Sequence, residues 1–138
     1  MRFFLDTNVL FDLFQKERTN HVSSRELIKA SVRGQVELVV SANSVMTMLY
    51  ALRTYGSHMP EAIARLNLLL PHLHVVRIGG PELLAGINSG WSDLEDAIQF
   101  HGALAAGHID AIVSNDNDFD QQKLVPVITP AQALKRVR

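Results

Sequence analysis

The chain has 138 residues, of which 47% are apolar and 20% charged, and its formal net charge is −1. This length suits a single domain with its own core, spanning residues 1–138, and the composition excludes an intrinsically disordered chain. A net charge near zero leaves the partner open, because a local basic patch is enough to bind nucleic acid.

The chain contains no cysteine, which excludes disulfides, a thiolate metal site and a cysteine nucleophile. Its first residues lack the basic, apolar and small pattern of a secretion signal, and no apolar run approaches the ~20 residues of a membrane helix. We therefore expect a cytoplasmic protein that does not enter a membrane.

Strand and helix patterns alternate along the chain. In order, the sequence predicts a strand at 3–5, a helix at 9–14, a helix at 23–32 opened by a capping box of Ser23 and Glu26, a strand at 36–40, helices at 44–55 and 60–70, a strand at 74–78, a helix at 81–87, a helix at 92–106 opened by Ser92 with Glu95, strands at 111–113 and 125–128, and a last helix from 130. This order predicts an α/β fold with a parallel sheet of four to five strands, covered by helices on both faces.

Carboxylates are concentrated late in the chain. Between Trp91 and Asp120 there is no Lys or Arg, but there are seven acids: Asp93, Glu95, Asp96, Asp110, Asp116, Asp118 and Asp120. Carboxylates that face one another without cations repel, unless protons or hard ions such as Mg²⁺ or Mn²⁺ lie between them.

Four acids have positions that can converge. Parallel sheets bind ligands beyond the carboxyl ends of their strands. Asp6 follows the first strand, Asp116 follows the fourth, and Asp93 and Asp96 lie three apart in the first turn of the helix between them. Each also has a structural interpretation: a turn or helix cap for Asp6, and interaction with the helix dipole for the pair.

The remaining titratable residues favour structural roles. Glu95 is the expected partner of Ser92 in its capping box, and Asp118 and Asp120 are typical of turns. Asp110 and Asp12 are expected to be solvated. None of the six histidines has metal-ligand spacing, and the chain has no Ser–His–Asp order, phosphate loop or HExxH motif.

Three motifs in this order resemble those of the PIN-domain nucleases, over essentially the whole chain: Leu5-Asp6-Thr7-Asn8, Asp93-Leu94-Glu95-Asp96-Ala97-Ile98-Gln99 and Ile112-Val113-Ser114-Asn115-Asp116-Asn117-Asp118-Phe119. The resemblance implies a three-layer α/β/α sandwich. It also implies a ribonuclease dependent on Mg²⁺ or Mn²⁺, often the toxin of a bacterial toxin–antitoxin pair. Asp6, Asp96 and Asp116 match the family's acids, and Asn8 and Ser114 match the polar residues that steady them.

One family residue is absent. Most members carry a Glu on the helix after the second strand, where this chain has Thr47 and no acid between Glu37 and Glu61. The pair formed by Asp93 and Asp96 resembles a branch of the family in which a second Asp supplies the fourth carboxylate. The main alternative is a catalytically impaired PIN fold that binds RNA or a protein.

Two other α/β classes fit less well. A receiver domain of bacterial signalling would have paired acids after the first strand and a Lys after the fifth, where this chain has Thr129 and Pro130. A phosphatase of the haloacid dehalogenase type would have Asp-x-Asp at the first strand, and Asn8 occupies the second of these positions.

Two helices carry more apolar residues than one buried stripe needs: Val45, Met46, Met48, Leu49 and Leu52 in the first, and Ile63, Leu66, Leu68, Leu69 and Leu70 in the second. An apolar surface of this kind favours an interface, and the alternative is that the extra apolar residues belong to the core. With the family resemblance it predicts a homodimer, and an antitoxin whose C-terminal segment covers the acidic groove. Arg53 and Arg65, on the same two helices, are candidates for lining the RNA path.

Overall fold

The computed structural model describes all residues 1–138 and contains one five-stranded parallel sheet. Its strands, in the spatial order β3-β2-β1-β4-β5, are β1 (Arg2–Leu5), β2 (Glu37–Ser41), β3 (His74–Val76), β4 (Ala111–Val113) and β5 (Val127–Ile128). The first and fourth strands are therefore neighbours at the centre of the sheet, with Phe4 opposite both Val39 and Ile112.

Seven helices pack around this sheet: α1 (Thr7–Phe14), α2 (His21–Val32), α3 (Ala42–Thr54), α4 (Met59–Leu69), α5 (Gly80–Ile87), α6 (Leu94–Ala105) and α7 (Pro130–Val137). A short 3₁₀ turn at Leu70–His72 follows α4, and another at Asp118–Gln121 lies between β4 and β5. The predicted three-layer α/β/α architecture is confirmed. None of the helices combines the length and apolar character that crossing a membrane requires.

Alternate residues of each strand feed two separate cores, as expected for a parallel sheet buried on both faces. Phe3 and Leu5 contribute to the larger core, with residues of α1, α2, α3, α4 and α7. Phe4 and Ile112 contribute to the smaller one, where Phe100 of α6 stacks on Trp91 with ring centroids 5.4 Å apart.

Helix α6, which carries Asp96, is held close to α5. A Cβ added to Gly86 of α5 would lie 2.8 Å from the backbone nitrogen of Ile98, and one added to Gly102 of α6 would lie 2.4 Å from Cδ1 of Ile78. The Gly86 contact is with backbone and is too close for any side chain larger than hydrogen, whereas the Gly102 contact is with the end of the Ile78 side chain, which can move. Gly86 therefore fixes how closely α6 lies against α5.

Both predicted capping boxes in the middle of the chain are wrong. Helix α2 begins at His21 rather than Ser23, and Glu26 bonds Lys29 at 2.7 Å instead of reaching back to a cap. The cap of α6 is Asp93 rather than Ser92, since the Asp93 side chain accepts from the backbone amide of Asp96. Glu95 is exposed and takes no part in a capping box.

Candidate active site at the carboxyl edge of the sheet

Asp6 leaves β1 at the carboxyl edge and is almost fully buried, with 3% of its surface exposed. Its Oδ1 accepts from the backbone amide of Thr7 at 2.6 Å, and its Oδ2 accepts from the Ser114 hydroxyl at 2.8 Å. Asp6 is also the N-cap residue of α1. The capping interpretation is therefore correct. The second carboxylate oxygen, Oδ2, is bonded instead by Ser114, the residue that follows β4.

Asp116 lies in the loop that follows β4. Its Oδ2 accepts from the Asn8 side chain at 2.9 Å, and its Oδ1 accepts from the backbone amide of Asp118 at 2.9 Å. The Ser114 hydroxyl, 3.4 Å from Asp116 Oδ1, lies between this carboxylate and that of Asp6. Asn8 thus donates to Asp116, and Ser114 donates to Asp6.

Asp93, Asp96 and Asp118 form the third part of the site. One carboxylate oxygen from each lies within 4.8 Å of the other two. Asp96 is buried, whereas Asp93 and Asp118 are exposed at the rim. Asp6, Asp93 and Asp116 all act on Asp96 through their charge. We call these five residues (Asp6, Asp93, Asp96, Asp116 and Asp118) the acid cluster.

Two members of the acid cluster, Asp6 and Asp96, hold their protons more tightly than isolated carboxylates do. Burial raises the pKa of Asp6 to about 6, against the opposing effect of the Ser114 hydrogen bond. Burial, the charge of Asp6 and a hydrogen bond with Asp118 raise the pKa of Asp96 to about 8. None of the protein's ion pairs includes a member of the cluster. Its negative charge is therefore balanced by no cationic side chain.

This donor set fits a hard divalent cation. Oxygen is the ligand that Mg²⁺ and Mn²⁺ prefer, and two oxygens on an octahedral Mg²⁺ at ~2.1 Å lie about 3.0 Å apart when adjacent and about 4.2 Å apart when opposite. The oxygens of Asp93, Asp96 and Asp118 are already within 4.8 Å of one another. Small side-chain rotations would bring them to these separations.

All six residues singled out from the sequence lie at this edge, and Asp118 joins them. The sequence favoured a turn for Asp118. It does begin a 3₁₀ turn, but its carboxylate also faces Asp96. The missed signal was the two-residue spacing from Asp116, which keeps both side chains in one tight loop.

Gln99 is a second residue that sequence reasoning missed. It is fully buried one turn after Asp96, and its Oε1 accepts from the Ser44 hydroxyl at 2.9 Å. Its Nε2 has no hydrogen-bond partner, yet the amide is near enough to Asp6 to lower the pKa of that carboxyl slightly. Ser44 also bonds Thr7 and Ser41, so neutral polar groups line the helix on which the family's Glu is missing.

Two expectations about single residues are changed by the structure. Asp12, expected to be solvated, is 1% exposed and accepts three side-chain hydrogen bonds. Arg65, a candidate for the RNA path, donates to the carbonyl of Leu13 and lies over the Phe14 ring, 4.5 Å from its centroid. Arg65 therefore joins α4 to the end of α1.

Comparisons with known proteins agree with this geometry. The family model described as PIN domain matches residues 2–118. Over 121 residues the chain is 27% identical to Ribonuclease VapC1 of Aquifex aeolicus, which covers 84% of this chain and 82% of that protein.

Solved structures share the fold at lower identity. A toxin–antitoxin complex from Klebsiella pneumoniae superposes with a TM-score of 0.62 at 19% identity, covering 92% of this chain and 96% of that one. VapBC2 from Rickettsia felis, bound to a DNA fragment from its promoter, superposes with a TM-score of 0.66 at 14% identity, covering 94% of this chain and 98% of that one. Mycobacterium tuberculosis VapC20, a toxin that cleaves the sarcin–ricin loop, superposes with a TM-score of 0.67 at 16% identity, covering 86% of this chain and 93% of that one. With the family model matched over most of its length, the chain belongs to the PIN-domain family.

Proposed function

We propose that this protein is a metal-dependent endoribonuclease and acts as the toxin of a toxin–antitoxin pair. The observation that carries the proposal is the acid cluster, five carboxylates at the carboxyl edge of the sheet with no cationic side chain among them. The similarity to Ribonuclease VapC1, at 27% identity, supports RNA as the substrate.

In this proposal Asp6, Asp96 and Asp116 hold Mg²⁺ or Mn²⁺, and Asp93 and Asp118 complete the ligand set from the rim. When bound, such an ion lowers the pKa of a coordinated water and neutralises charge that develops on the phosphate. Hydrogen bonds from other residues of the chain hold the carboxylates of Asp6 and Asp116 in position. Ser114 and the Thr7 amide hold Asp6, and Asn8 holds Asp116. Asp96, whose pKa is raised to about 8, would have to lose its proton in order to bind such an ion.

The site contains no His or Lys that could act as a general base, and this chemistry does not need one. Its demands are the placement of carboxylates and the exclusion of competing cations. Asp6, which is 3% exposed and bonded by the first residue of α1 and by the residue after β4, meets the first demand. The second demand is met because no Lys, Arg or His side chain forms an ion pair with the cluster.

The alternative function is a PIN fold that binds RNA or a protein without cleaving it. Thr47 in place of the family's Glu favours this alternative. Asp96, whose pKa is raised by burial and by the charge of its acidic neighbours, favours the enzyme, because a binding surface gains nothing from the repulsion.

The proposal extends to organisation and partners. We treat residues 1–138 as a single domain, which forms a homodimer and binds an antitoxin. The two related assemblies are described as a toxin–antitoxin complex and as VapBC2 on promoter DNA. Exposed apolar residues on α3 and α4, among them Met46, Tyr50, Ile63 and Leu68, support an interface between copies.

An RNA cleavage assay tests the proposal. Purified protein is incubated with structured RNA in EDTA and then with increasing Mg²⁺ or Mn²⁺, alongside Asp6→Asn and Asp116→Asn. We expect cleavage only with metal, and a loss of at least about 100-fold in either variant. Asp110→Asn, at the opposite edge of the sheet, is the control and should cleave normally. RNA binding without cleavage at any metal concentration would establish the alternative.

A further inference from the structure

Asp12 is a buried carboxylate in α1 to which three segments of the chain donate. Its Oδ1 accepts from Arg18 Nε at 2.8 Å, in the connection between α1 and α2. Its Oδ2 accepts from the Ser24 hydroxyl of α2 at 2.9 Å and from Asn115 Nδ2 at 2.7 Å. The last bond reaches 103 residues along the chain, into the loop that carries Asp116.

The Asn115 side chain is held at both of its ends. Nδ2 donates to Asp12, and Oδ1 accepts from the side chain of Asn20 at 2.9 Å. The two bonds fix the orientation of the amide, because only the nitrogen can donate to a carboxylate. The Asn115 backbone amide also donates to Asn8 Oδ1 at 3.3 Å. The residue immediately before Asp116 is therefore fixed by side chain and backbone together.

A second route connects Asp12 to Asp116. Arg18, paired with Asp12, also reaches the backbone carbonyl of Asn8 with Nη2 at 3.4 Å. Asn8 in turn donates from Nδ2 to Asp116 Oδ2 at 2.9 Å. Asn8 thus bonds both Asn115 and Asp116.

A buried ion pair is weak evidence of a role in stability, since well-packed apolar residues of similar volume often stabilise a fold equally well. A carboxylate is needed where donors must be held in one geometry. Here they come from a connection, a helix and the acid-bearing loop. Outer-shell partners of this kind commonly set metal affinity.

We propose that Asp12 is a positioning residue for Asp116: through Asn115 and Asn8 it fixes the loop that presents this carboxylate to the acid cluster. The consequence for metal binding rests on the proposed function, in which Asp116 is a ligand. The consequence for the loop does not depend on metal.

The substitution Asp12→Asn separates this role from simple packing. It keeps the shape of the side chain but replaces one acceptor oxygen with an NH₂ donor. In either orientation the charge of the ion pair with Arg18 is lost and the NH₂ faces a donor, which is Asn115 with Ser24 in one orientation and Arg18 in the other. Asn115→Ala removes the same link from the other side and leaves Asp12 with Arg18 and Ser24. Ser24→Ala is the matched control, because it removes a bond to the same Asp12 oxygen without touching the loop.

The first measurement is amide hydrogen exchange by NMR on the metal-free protein. We expect the amides of residue 115 and Asp118, which bond Asn8 and Asp116, to exchange about tenfold faster in Asp12→Asn and Asn115→Ala. The Ser114 amide, bonded to the Ile128 carbonyl, should exchange at the wild-type rate, and Ser24→Ala should leave all three amides unchanged. This measurement uses neither metal nor RNA, so it does not depend on the proposed nuclease activity. If the wild-type protein cleaves no RNA, the proposed function is refuted, but the exchange rates still decide whether Asp12 positions the loop.

The second measurement is Mn²⁺ affinity by calorimetry, at a temperature where circular dichroism shows each variant folded. We expect both variants to bind about tenfold more weakly, and the double variant to bind no more than about twofold more weakly than either, since the residues act in one chain of contacts. Wild-type exchange at residue 115 and Asp118 in Asn115→Ala would overturn the proposal, even if Asp12→Asn failed to fold. Additive losses of Mn²⁺ affinity would overturn the route through Asn115.

Discussion

The carboxylate of Asp93 accepts a hydrogen bond from the backbone amide of Asp96 at 3.1 Å, so the residue that caps α6 also lies beside the buried acid within it. The two roles are compatible, because a carboxylate has two oxygens and the cap uses one. A like-charged pair in this position is costly unless a cation or proton is shared.

The two roles of Asp93 can be separated by mutation. Asn is as good an N-cap as Asp, so Asp93→Asn should keep α6 and the melting temperature. If Asp93 replaces the family's missing Glu, this variant should lose metal-dependent RNA cleavage about as severely as Asp96→Asn does. Normal cleavage by Asp93→Asn would leave it as a cap alone, beside a smaller ligand set.

Stability of the metal-free protein should fall as pH rises. The pKa of Asp6 is about 6 and that of Asp96 about 8, both above the ordinary value of 3.8. Between pH 3.8 and these raised values, the folded chain therefore binds more protons than the unfolded chain. The favourable contribution is present at low pH and is lost as pH passes through 6 and then 8. Urea unfolding in EDTA at pH 5 and pH 8.5 measures it.

Two controls identify the source of this pH dependence. Asp96→Asn should be more stable than the wild type at pH 8.5 in EDTA, because it removes a charge from among like charges. Adding Mn²⁺ should restore wild-type stability most at high pH, where no protons compete. A metal-free wild-type protein whose stability rises from pH 5 to 8.5 would contradict both pKa shifts.

Gln99 should matter more for metal binding than for stability. Its Nε2 has no partner, and its acceptor bond from Ser44 can be replaced by the bond between Ser44 and Ser41, so Gln99→Leu should change the unfolding free energy by less than about 1 kcal/mol. Mn²⁺ affinity should fall several-fold as Asp6 loses a neighbouring dipole. Gln99→Glu, which buries one more charge beside Asp6, should cost more than about 2 kcal/mol at pH 8. Equal stability of the two variants would argue against the placement of Gln99.

Arg65 and Arg53 offer a matched pair. Arg65→Ala removes a charged hydrogen bond to the Leu13 carbonyl and the contact with Phe14, and should cost about 2 kcal/mol of unfolding free energy. Arg53 is exposed in the last turn of α3, so Arg53→Ala should lower the unfolding free energy by less than about 0.5 kcal/mol. If either lines the RNA path, Arg53→Ala should weaken RNA binding without loss of stability. Denaturant titration and filter binding measure the two effects.

The homodimer prediction can be tested on α3. Tyr50 and Met46 lie one turn apart and are 74% and 70% exposed, whereas Met48 and Leu52 of the same helix are in the core. Light scattering should give a dimer mass for the wild type and a monomer mass for Tyr50→Glu. Leu84→Glu, on the exposed side of α5, should remain dimeric. A wild-type mass that stays monomeric across the concentration range would refute the dimer.

Two acids of the site, Asp6 and Asp116, could be placed from the order of strands. Asp6 and Asp116 follow adjacent parallel strands, and strand order alone brings their backbone positions to one edge. Asp12, Asp118 and Gln99 were misassigned or missed because their roles depend on side-chain direction. A carboxylate in α1 has the same sequence pattern whether it points to solvent or to Asn115, and only the packing of α1 against α2 decides between them. The caps failed for a related reason, since Ser92 and Asp93 are both good N-caps and one residue of register separates them.

The central pairing of β1 with β4 has a consequence for synthesis. The hydroxyl that holds Asp6 belongs to a residue 108 positions later, so nothing in the first three strands can assemble the cluster. As the chain leaves the ribosome, Asp6 and the β1–β2–β3 half of the sheet emerge long before Asp96, Ser114 and Asp116. In the proposed function, a translation product cut short before Ala111 lacks Ser114 and Asp116 and therefore cannot cleave RNA, however well it folds. Cleavage would then begin only after nearly the whole chain has been synthesised, so that a proposed antitoxin made at the same time has the whole period of elongation in which to form.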